Sequence, residues 1–417
     1  MIKEIEQKIN DNGNNLIMFN KNEKVSIDLT TIEKRYNFPI KGLIDIYKKD
    51  CVIDFCNSSL ELNLYNFQVH NVSIIYIHPD STNTTIKNLN IIVNVLDNDI
   101  DDGLLVGIYN TSKNFKLINS KISIISKKSH KIIGVYNNGN LFTHMETRAD
   151  NLLINNSHIE IISTNDKISS EVYGIYNNLA NTITVTNNYI CTKTIGKSDD
   201  QKAIGIYTNG RFGRFIGNNV KANGSHPEGL ELEQASAYGF INEGLFNIIN
   251  ANNIIAEWAG KAIAIEVKGN GCIITSNKIL ATHTLNGKGI VVLANDTIIE
   301  NNIIISTSLN AKLIELRAGD SIISHNILEV TIPINEVVSG CGIYSPVDNI
   351  KNNIITENII SNVHSCGIFI NKSSCKVLRD NQVIYLEGKT MCYIGEIDNF
   401  ELYEILNERH IKTRVRE

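Results

Sequence analysis

The stretch CIITSNKILATHTLNGKGIVVLANDTIIENNIIISTS at residues 272–308 decides the fold. It contains short runs of β-branched residues separated by Asn, Gly, Asp and Ser, a pattern typical of strands and tight turns rather than helices. Two motifs alternate within it: an Asn two residues before an Ile, and a Gly-Ile pair that opens an apolar run. The stretch therefore looks like parts of two successive units of a repeat.

The same two motifs recur along most of the 417-residue chain. The Gly-Ile motif reads GIYN at 107–110 and 174–177, GVYN at 134–137 and GIYT at 205–208, and from residue 239 to 367 its five intervals are 25, 25, 24, 29 and 25 residues. The Asn motif keeps step with it at Asn188, Asn218, Asn252, Asn277, Asn301, Asn326, Asn358 and Asn381. A period of this length indicates a solenoid, a propeller or another array. Most units are too short for a propeller blade and contain no helix-length segment, so the repeat predicts a parallel β-helix.

Coils of about 25 residues resemble those of the right-handed pectate-lyase-like family, whose coils carry three short strands and often stack asparagines at one turn. The resemblance covers roughly residues 40–398 and lies in the architecture. Of the four polygalacturonase motifs only Asp-Asp occurs, at 101 and 199, and the Asp-Pro-His element of alginate epimerases is absent. The resemblance implies an all-β, right-handed parallel β-helix of about ten or eleven coils. We expect an N-terminal cap over residues 1–40, with Ile2, Ile5 and Ile9 at helical spacing. The solenoid should cover 41–398, and a C-terminal helix or tail 399–417.

Stacked coils place equivalent residues about 4.8 Å apart, so the repeated asparagines should bond to one another as a structural ladder. Cys341, Cys366 and Cys392 form a similar column, which predicts reduced core thiols. The eight cysteines show no metal-ligand spacing, and no nucleotide-binding loop or zinc motif occurs, so no metal or cofactor is expected.

The composition narrows the class of partner. A net charge of −5 with 42% hydrophobic residues does not favour nucleic acid or an anionic membrane surface. The N-terminus has no signal-peptide pattern and no apolar run of about 18 residues occurs, which predicts a cytoplasmic protein or one released without a classical signal peptide. The expected partner is a polysaccharide or oligosaccharide. A monomer is favoured, with a homotrimer as the alternative.

The tyrosines in the third place of the GIYN motif point to a surface strip. Neighbouring side chains alternate between the two faces of a strand, and the second motif position is apolar in every unit, so it should face the core. The third position should face outward, which predicts an exposed aromatic strip containing Tyr136, Tyr176 and Tyr207. Tyrosines on a pleated surface also pack against one another without any ligand, and that alternative stays open.

Charged residues enter the same outward columns only in the middle coils. Glu243, Glu266, Lys268, Glu315 and Arg317 should therefore cluster on one face. Glu266 and Glu315 lie two coils apart, which suits the carboxylate spacing of about 6.5–9.5 Å in inverting glycosidases. Lys268 and Arg317 are expected to hold a carboxylate or phosphate of the substrate. The alternative is a surface ion-pair lattice without catalytic function.

Loop lengths outline a groove around this patch. The connections are long at 223–236 and 138–150 but shrink to about four residues beside the charged coils, and long loops on a rigid scaffold often carry function. His226 or Tyr238 on the long walls is the alternative catalytic base. Trp258, the only tryptophan, falls at the edge of the groove and should stack on a sugar ring.

These features predict a carbohydrate-active enzyme, either a polysaccharide lyase or a glycoside hydrolase, acting on an acidic or acetamido glycan. Glu266 and Glu315 are the expected acid–base pair, and their replacement by Gln should abolish turnover while leaving the melting temperature almost unchanged. Two alternatives remain. One is a glycan-binding, tailspike-like or adhesin-like module without turnover, and the other is an intracellular tailoring enzyme for a small activated sugar or peptide.

Overall fold

The chain folds as a right-handed parallel β-helix with three faces. A computed structural model describes residues 2–29, 41–65, 71–96, 101–127, 129–139, 149–165, 169–195, 200–224, 235–331, 339–347, 349–363, 366–384, 393–395, 400–402 and 411–412. Each coil contributes one strand to each face, and corresponding strands of successive coils pair in parallel. The predicted fold class is confirmed.

The first face consists of short strands, most of them three residues long. They are Leu16–Met18, Val52–Asp54, Thr85–Lys87, Lys116–Ile118, Leu153–Asn155, Thr184–Thr186, Arg214–Ile216, Ile248–Asn250, Ile273–Thr275, Ile298–Glu300, Ile322–Ser324, Asn353–Thr356 and Cys375–Arg379. These thirteen strands exceed the ten or eleven coils expected, because the early coils lack the GIYN letters. The parallel ladder already begins at Leu16, before the predicted boundary at residue 41.

The second face follows the first in each coil. Its strands are Lys24–Leu29, Ser59–Leu64, Asn90–Val95, Lys121–Ser126, His158–Ser163, Tyr189–Thr194, Asn219–Asn223, Ile303–Ser306, Ile327–Val330, Ile359–Ser361 and Gln382–Ile384. Two strands of 15 residues, Asn253–Val267 and Lys278–Val292, run without interruption from the second face into the third.

The third face carries the Gly-Ile-Tyr motif. Its remaining strands are Lys41–Ile46, Val72–Ile77, Asp101–Asn110, Ser129–Asn138, Glu171–Asn178, Lys202–Thr208, Ser236–Asn242, Asn310–Leu316, Ser339–Tyr344, Cys366–Phe369 and Tyr393–Gly395. The motif glycine lies where the backbone is crowded against the core. A Cβ atom on Gly107 would lie 2.6 Å from the Gly134 carbonyl oxygen and 2.9 Å from a methyl carbon of Ile122. Glycine therefore lets successive coils approach here.

The second motif position faces the core, as predicted. Its side chains are at most 1% exposed in ten successive coils: Ile108, Val135, Ile175, Ile206, Phe240, Ile265, Ile290, Ile314, Ile343 and Ile368. The outward column forms a separate hydrophobic cluster that includes Tyr109 and Ile241. The strip is less exposed than predicted, because its side chains cover one another.

The asparagine ladder is also confirmed, with one correction. Side-chain amides bond at 2.9–3.0 Å from coil to coil along Asn188, Asn218, Asn252, Asn277, Asn302, Asn326, Asn358 and Asn381. The ladder uses Asn302 and not Asn301. Asn301 occupies the preceding turn, with a left-handed backbone at φ 57° and an exposed side chain.

Removing one rung should destabilise the solenoid. Asn277 accepts hydrogen bonds from the backbone N–H and the amide of Asn252 at 2.9 and 3.0 Å, and its own amide donates to the Ile249 carbonyl at 2.8 Å. Asn277→Ala leaves these buried groups unpaired, each at a cost of about 1–3 kcal/mol. We expect a clearly lower urea midpoint, whereas Lys278→Ala, at the exposed neighbouring position, should leave the midpoint unchanged. Equal midpoints would show that the ladder contributes little.

The two ends differ from the repeat. The N-terminal helix Ile2–Asn10 buries Ile9 and packs Ile2 and Ile5 against the core, and the Asn10 amide donates to the Asp45 carbonyl at 2.8 Å. Near the C-terminus, Phe400–Leu402 and Ile411–Lys412 are strands that pair antiparallel with the last coils. These two segments are strands, whereas the sequence predicted a C-terminal helix or tail. The rest of 399–417 lies outside the described residues.

A short 3₁₀ helix, Lys372–Ser374, precedes the last strand of the first face. Cys341 and Cys366 are register partners in successive coils, in agreement with the predicted column. Cys392, its third expected member, lies outside the described residues.

No helix in the described part of the chain is long and apolar enough to cross a membrane.

Candidate functional site

A continuous strip of five tyrosine rings lies on the outside of the third face. Tyr76 stacks on Tyr109 with the ring centres 5.5 Å apart, and Tyr109 meets Tyr136 edge to face at 4.9 Å. Tyr176 continues the strip at 5.0 Å from Tyr136 and stacks on Tyr207 at 4.6 Å. The structure thus brings together the predicted Tyr136, Tyr176 and Tyr207.

The tyrosine hydroxyls in this strip remain protonated at neutral pH. Burial, followed by the neighbouring Tyr109, raises the pKa of Tyr136. Burial and the carboxylate of Glu243 raise the pKa of Tyr207. The strip therefore presents neutral rings and hydroxyl groups.

An ionic network borders the strip in the coils of Tyr136, Tyr176 and Tyr207. Glu171 pairs with Lys202 at 3.2 Å and Lys131 at 3.8 Å, and the Tyr173 hydroxyl donates to the same carboxylate at 3.1 Å. Lys131 Nζ also lies 4.6 Å from the ring centre of Tyr176, a cation–π distance. Burial of Glu171 is outweighed by the two lysines, which hold its pKa below the usual range.

The central network joins the end of the strip to two carboxylates. The Tyr207 hydroxyl donates to Glu243 Oε2 at 2.7 Å, and Lys268 Nζ lies 2.9 Å from Glu243 Oε1 and 3.2 Å from Glu266 Oε2. Although burial works the other way, Tyr207 and Lys268 lower the pKa of Glu243. The two carboxylates likewise outweigh burial and raise the pKa of Lys268. At neutral pH Glu243 and Lys268 are charged.

A third network surrounds Glu315. Its side chain is fully buried, with Oε2 2.6 Å from Lys288 Nζ and 3.6 Å from Lys312 Nζ, while Arg317 Nε donates to Oε1 at 2.5 Å. Burial alone would raise the pKa of Glu315, but the three cations, Lys288 foremost, lower it. This environment does not favour Glu315 as a proton donor.

The predicted single patch is therefore two networks on the same face. Glu266 aligns with Val291, and Val291 aligns with Glu315 in the next coil. Val291 thus separates the two carboxylates, whose strands lie about 9–10 Å apart. Glu266 is linked through Lys268 to Glu243 instead of to Glu315.

Several polar residues of the face were not among the predicted site residues. Lys288, Lys312 and Tyr173 stand two residues before the core-facing position, and Lys131, Glu171, Lys202 and Lys261 stand four before it. These columns also face outward, whereas the residues of the predicted charged patch all follow the core-facing position. Extending the column pattern backwards along each strand would have found them.

The remaining predicted residues lie at the edges. Trp258 stacks on His283 with ring centres 4.4 Å apart, at the corner between the second and third faces, and is 41% exposed. The Tyr238 hydroxyl accepts a hydrogen bond from Lys261 Nζ at 3.2 Å. His226 lies outside the described residues, as does most of its loop.

A separate concave region lies at the corner between the first and second faces. Its cavity volume is about 460 Å³. Its lining consists mainly of asparagines from successive turns, together with Lys121, His158 and Tyr189, and contains none of the predicted site residues. Among the described residues, no group of three or more His, Cys, Asp or Glu could hold a metal ion.

No protein-family model matches the chain, and no curated protein matches it in sequence. Among solved structures, it is similar to the tailspike protein of E. coli bacteriophage HK620 in complex with a pentasaccharide, with 11% identity, a TM-score of 0.50, and coverage of 92% of this chain and 74% of that one. A mutant of the same tailspike, also with a pentasaccharide, matches at 11% identity and a TM-score of 0.50 over 93% and 72%. Identity this low shows the fold alone, which is a right-handed parallel β-helix.

Proposed function

We propose that the chain is a carbohydrate-active enzyme that binds an acidic or acetamido polysaccharide on its third face. The observation that carries this proposal is the network of Tyr207, Glu243, Lys268 and Glu266 at the end of the tyrosine strip. Tyrosine rings combine an apolar body with a polar tip, which suits the faces and hydroxyls of sugars. Lys268 provides a cation for a substrate carboxylate.

Glu243 and Glu266 are the proposed catalytic pair. Both contact Lys268 Nζ, so the two contacting oxygens lie at most about 6 Å apart, a limit that is compatible with the spacing of about 5–5.5 Å in retaining glycosidases. Glu243 has a lowered pKa and suits a nucleophile or base. Glu266 is more buried and takes the general-acid role. This pair replaces Glu266 and Glu315.

Glu315 instead has a supporting role in this proposal. Its carboxylate fixes the ammonium groups of Lys288 and Lys312 on the face. Lys312 Nζ also lies 4.1 Å from the ring centre of Tyr344. Arg317, which is exposed, can reach an anionic group of a bound glycan.

The similarity in fold gives this proposal general support. The HK620 tailspike, which shares the fold, is seen in complex with a pentasaccharide. Fold alone does not define function, so the assignment rests on the side chains of the third face.

A second candidate is a glycan-binding module without turnover. It is favoured by the double contact of Lys268, because an ammonium group paired to both Glu243 and Glu266 keeps them in a closed ion-pair network. Such a network can bind a glycan through Tyr207 and Lys268 without any proton transfer.

Incubation with a panel of acidic, acetamido and neutral polysaccharides separates these functions. New reducing ends without ultraviolet absorbance indicate a hydrolase, and absorbance of unsaturated uronates indicates a lyase. Retention of a glycan without either signal indicates the binding module. Absence of both binding and turnover on every glycan would contradict the proposal and favour a small activated sugar or peptide as substrate.

A further inference from the structure

One corner of the solenoid repeats the same left-handed backbone position in eleven coils. This column lies where each third-face strand turns into the next first-face strand, with φ between 51° and 71°. Its residues are Asp50, Asn83, Asn114, Asn151, Thr182, Phe212, Phe246, Gly271, Asp296, Asp320 and Asn352. Asn, Asp and Gly tolerate this conformation better than other residues.

The small polar members of this corner column bond to one another. Asn83 donates to Asp50 at 2.6 Å, and Asn114 donates to Asn83 at 2.7 Å. Asn151 donates to Asn114 at 2.9 Å, and Asn352 donates to Asp320 at 2.9 Å. The residue types in most coils thus have a structural explanation.

Phe212 and Phe246 break this pattern. Both have left-handed backbones, at φ 58° and 57°, and their side chains are 56% and 52% exposed. Their rings stack with centres 5.6 Å apart and planes 12° from parallel. A bulky residue in this backbone region is strained, and strain of this kind concentrates at functional sites. Neither ring belongs to the hydrophobic core.

The next coil makes room for these rings. A Cβ atom on Gly271 would lie 2.5 Å from a ring carbon of Phe246. Gly271 is the only glycine in the described column, so the ring of Phe246 occupies space that a side chain would fill.

The phenyl pair lies beside the central network of the third face. Phe212 follows Tyr207 by five residues and Phe246 follows Glu243 by three, so they come from the two coils that the Tyr207–Glu243 hydrogen bond joins. The opposite edge of the face carries the stacked Trp258 and His283, also with left-handed backbones. Stacked aromatic pairs thus stand at both edges of the proposed site.

We propose that Phe212 and Phe246 form a stacking platform for a sugar ring of the glycan bound on the third face. This inference rests on the proposed function and adds a specific subsite to it. Phenyl rings pack against the apolar C–H face of a pyranose. Two half-exposed rings present far less than the roughly 800 Å² that each partner buries in a stable protein interface. A sugar fits this patch better than a second protein.

The test replaces both phenylalanines with Asn, which occupies other positions of the same corner column. In the Phe212→Asn/Phe246→Asn variant, Asn accepts the left-handed backbone, so the urea midpoint should stay the same or rise. Affinity for a glycan found in the panel should fall about tenfold. Asp320→Asn, in the same column three coils beyond Phe246, is the matched control and should bind as the wild type does. Phe212→Tyr/Phe246→Tyr keeps both rings and should retain affinity even if the Asn variant folds poorly.

The outcomes separate this inference from the proposed function. If the wild type binds a glycan and the Asn variant binds it equally well, the platform is overturned while the glycan site stands. The platform is also overturned if the variant changes only the oligomeric state in light scattering. If the wild type binds no glycan, both the platform and the proposed function are overturned.

Discussion

Replacing Glu315 by Gln should destabilise the protein strongly. The side chain is fully buried and lies among Lys288, Lys312 and Arg317, and the variant leaves these cations without their anion. Removing one partner of a buried ion pair costs about 3–5 kcal/mol. The three cations are 18%, 32% and 45% exposed and can be partly rehydrated. We therefore expect a value near the lower end, measured as the free energy of unfolding in urea.

Glu243→Gln is the control for this prediction. The Glu243 side chain is 33% exposed and pairs with Lys268 near the surface, so its loss should cost about 0–1 kcal/mol. The expectation from sequence that Glu315→Gln leaves the melting temperature unchanged assumed an exposed carboxylate. Equal stabilities of the two variants would show that the Glu315 network is no more than a surface lattice.

The pH dependence of stability gives a second measurement. Because the folded-state pKa of Glu315 lies below its ordinary value of 4.5, the folded protein binds this proton less tightly than the unfolded chain does. The resulting stability is complete above about pH 4.5 and is lost as the pH falls through the folded pKa. The urea midpoint of the wild type should decrease as the pH is lowered below about 4.5. The midpoint of Glu315→Gln should decrease less over the same pH range.

Replacing Glu266 by Gln should abolish most of the turnover of a glycan that the wild type cleaves. Loss of a general acid costs about 10²–10⁴-fold in rate. Gln has the same shape and can still bond to Lys268, so the melting temperature should change little. The measurement is kcat at saturating glycan, because the acid acts in the chemical step and not in binding.

Asp54→Asn is the matched control for Glu266→Gln. The Asp54 side chain is 10% exposed and pairs with Lys87 at 3.0 Å on the first face, against 11% exposure for Glu266. It should leave kcat unchanged. Full activity of Glu266→Gln would mean that the central network is only a structural lattice, and attention would then move to the loop containing His226.

The repeat in the sequence contains most of the information about the fold. The 24–25-residue spacing of the Gly-Ile motif and the period-2 alternation around it predict parallel coils and an inward isoleucine column, and both are present. The predicted ladder position Asn301 is wrong by one residue, because two consecutive asparagines, 301 and 302, satisfy the same pattern. Only the turn conformation decides between them.

The site was less predictable than the fold. A column pattern shows which way a side chain leaves the strand, but not how far a long side chain then extends. Lys288 and Lys312 extend onto Glu315 and help to bury it, while Lys268 joins Glu266 to Glu243. Trp258 and His283, whose rings stack, both have left-handed backbones, which the sequence does not reveal.

The most direct test of the central claim is a glycan array probed with the wild type and with the Glu243→Gln/Lys268→Met variant. This variant removes one negative and one positive charge and so leaves the net charge unchanged. We expect the wild type to retain at least one acidic or acetamido glycan and the variant, at equal stability, to lose it. Equal retention by both proteins, or no retained glycan with the wild type, would contradict a glycan site on the third face.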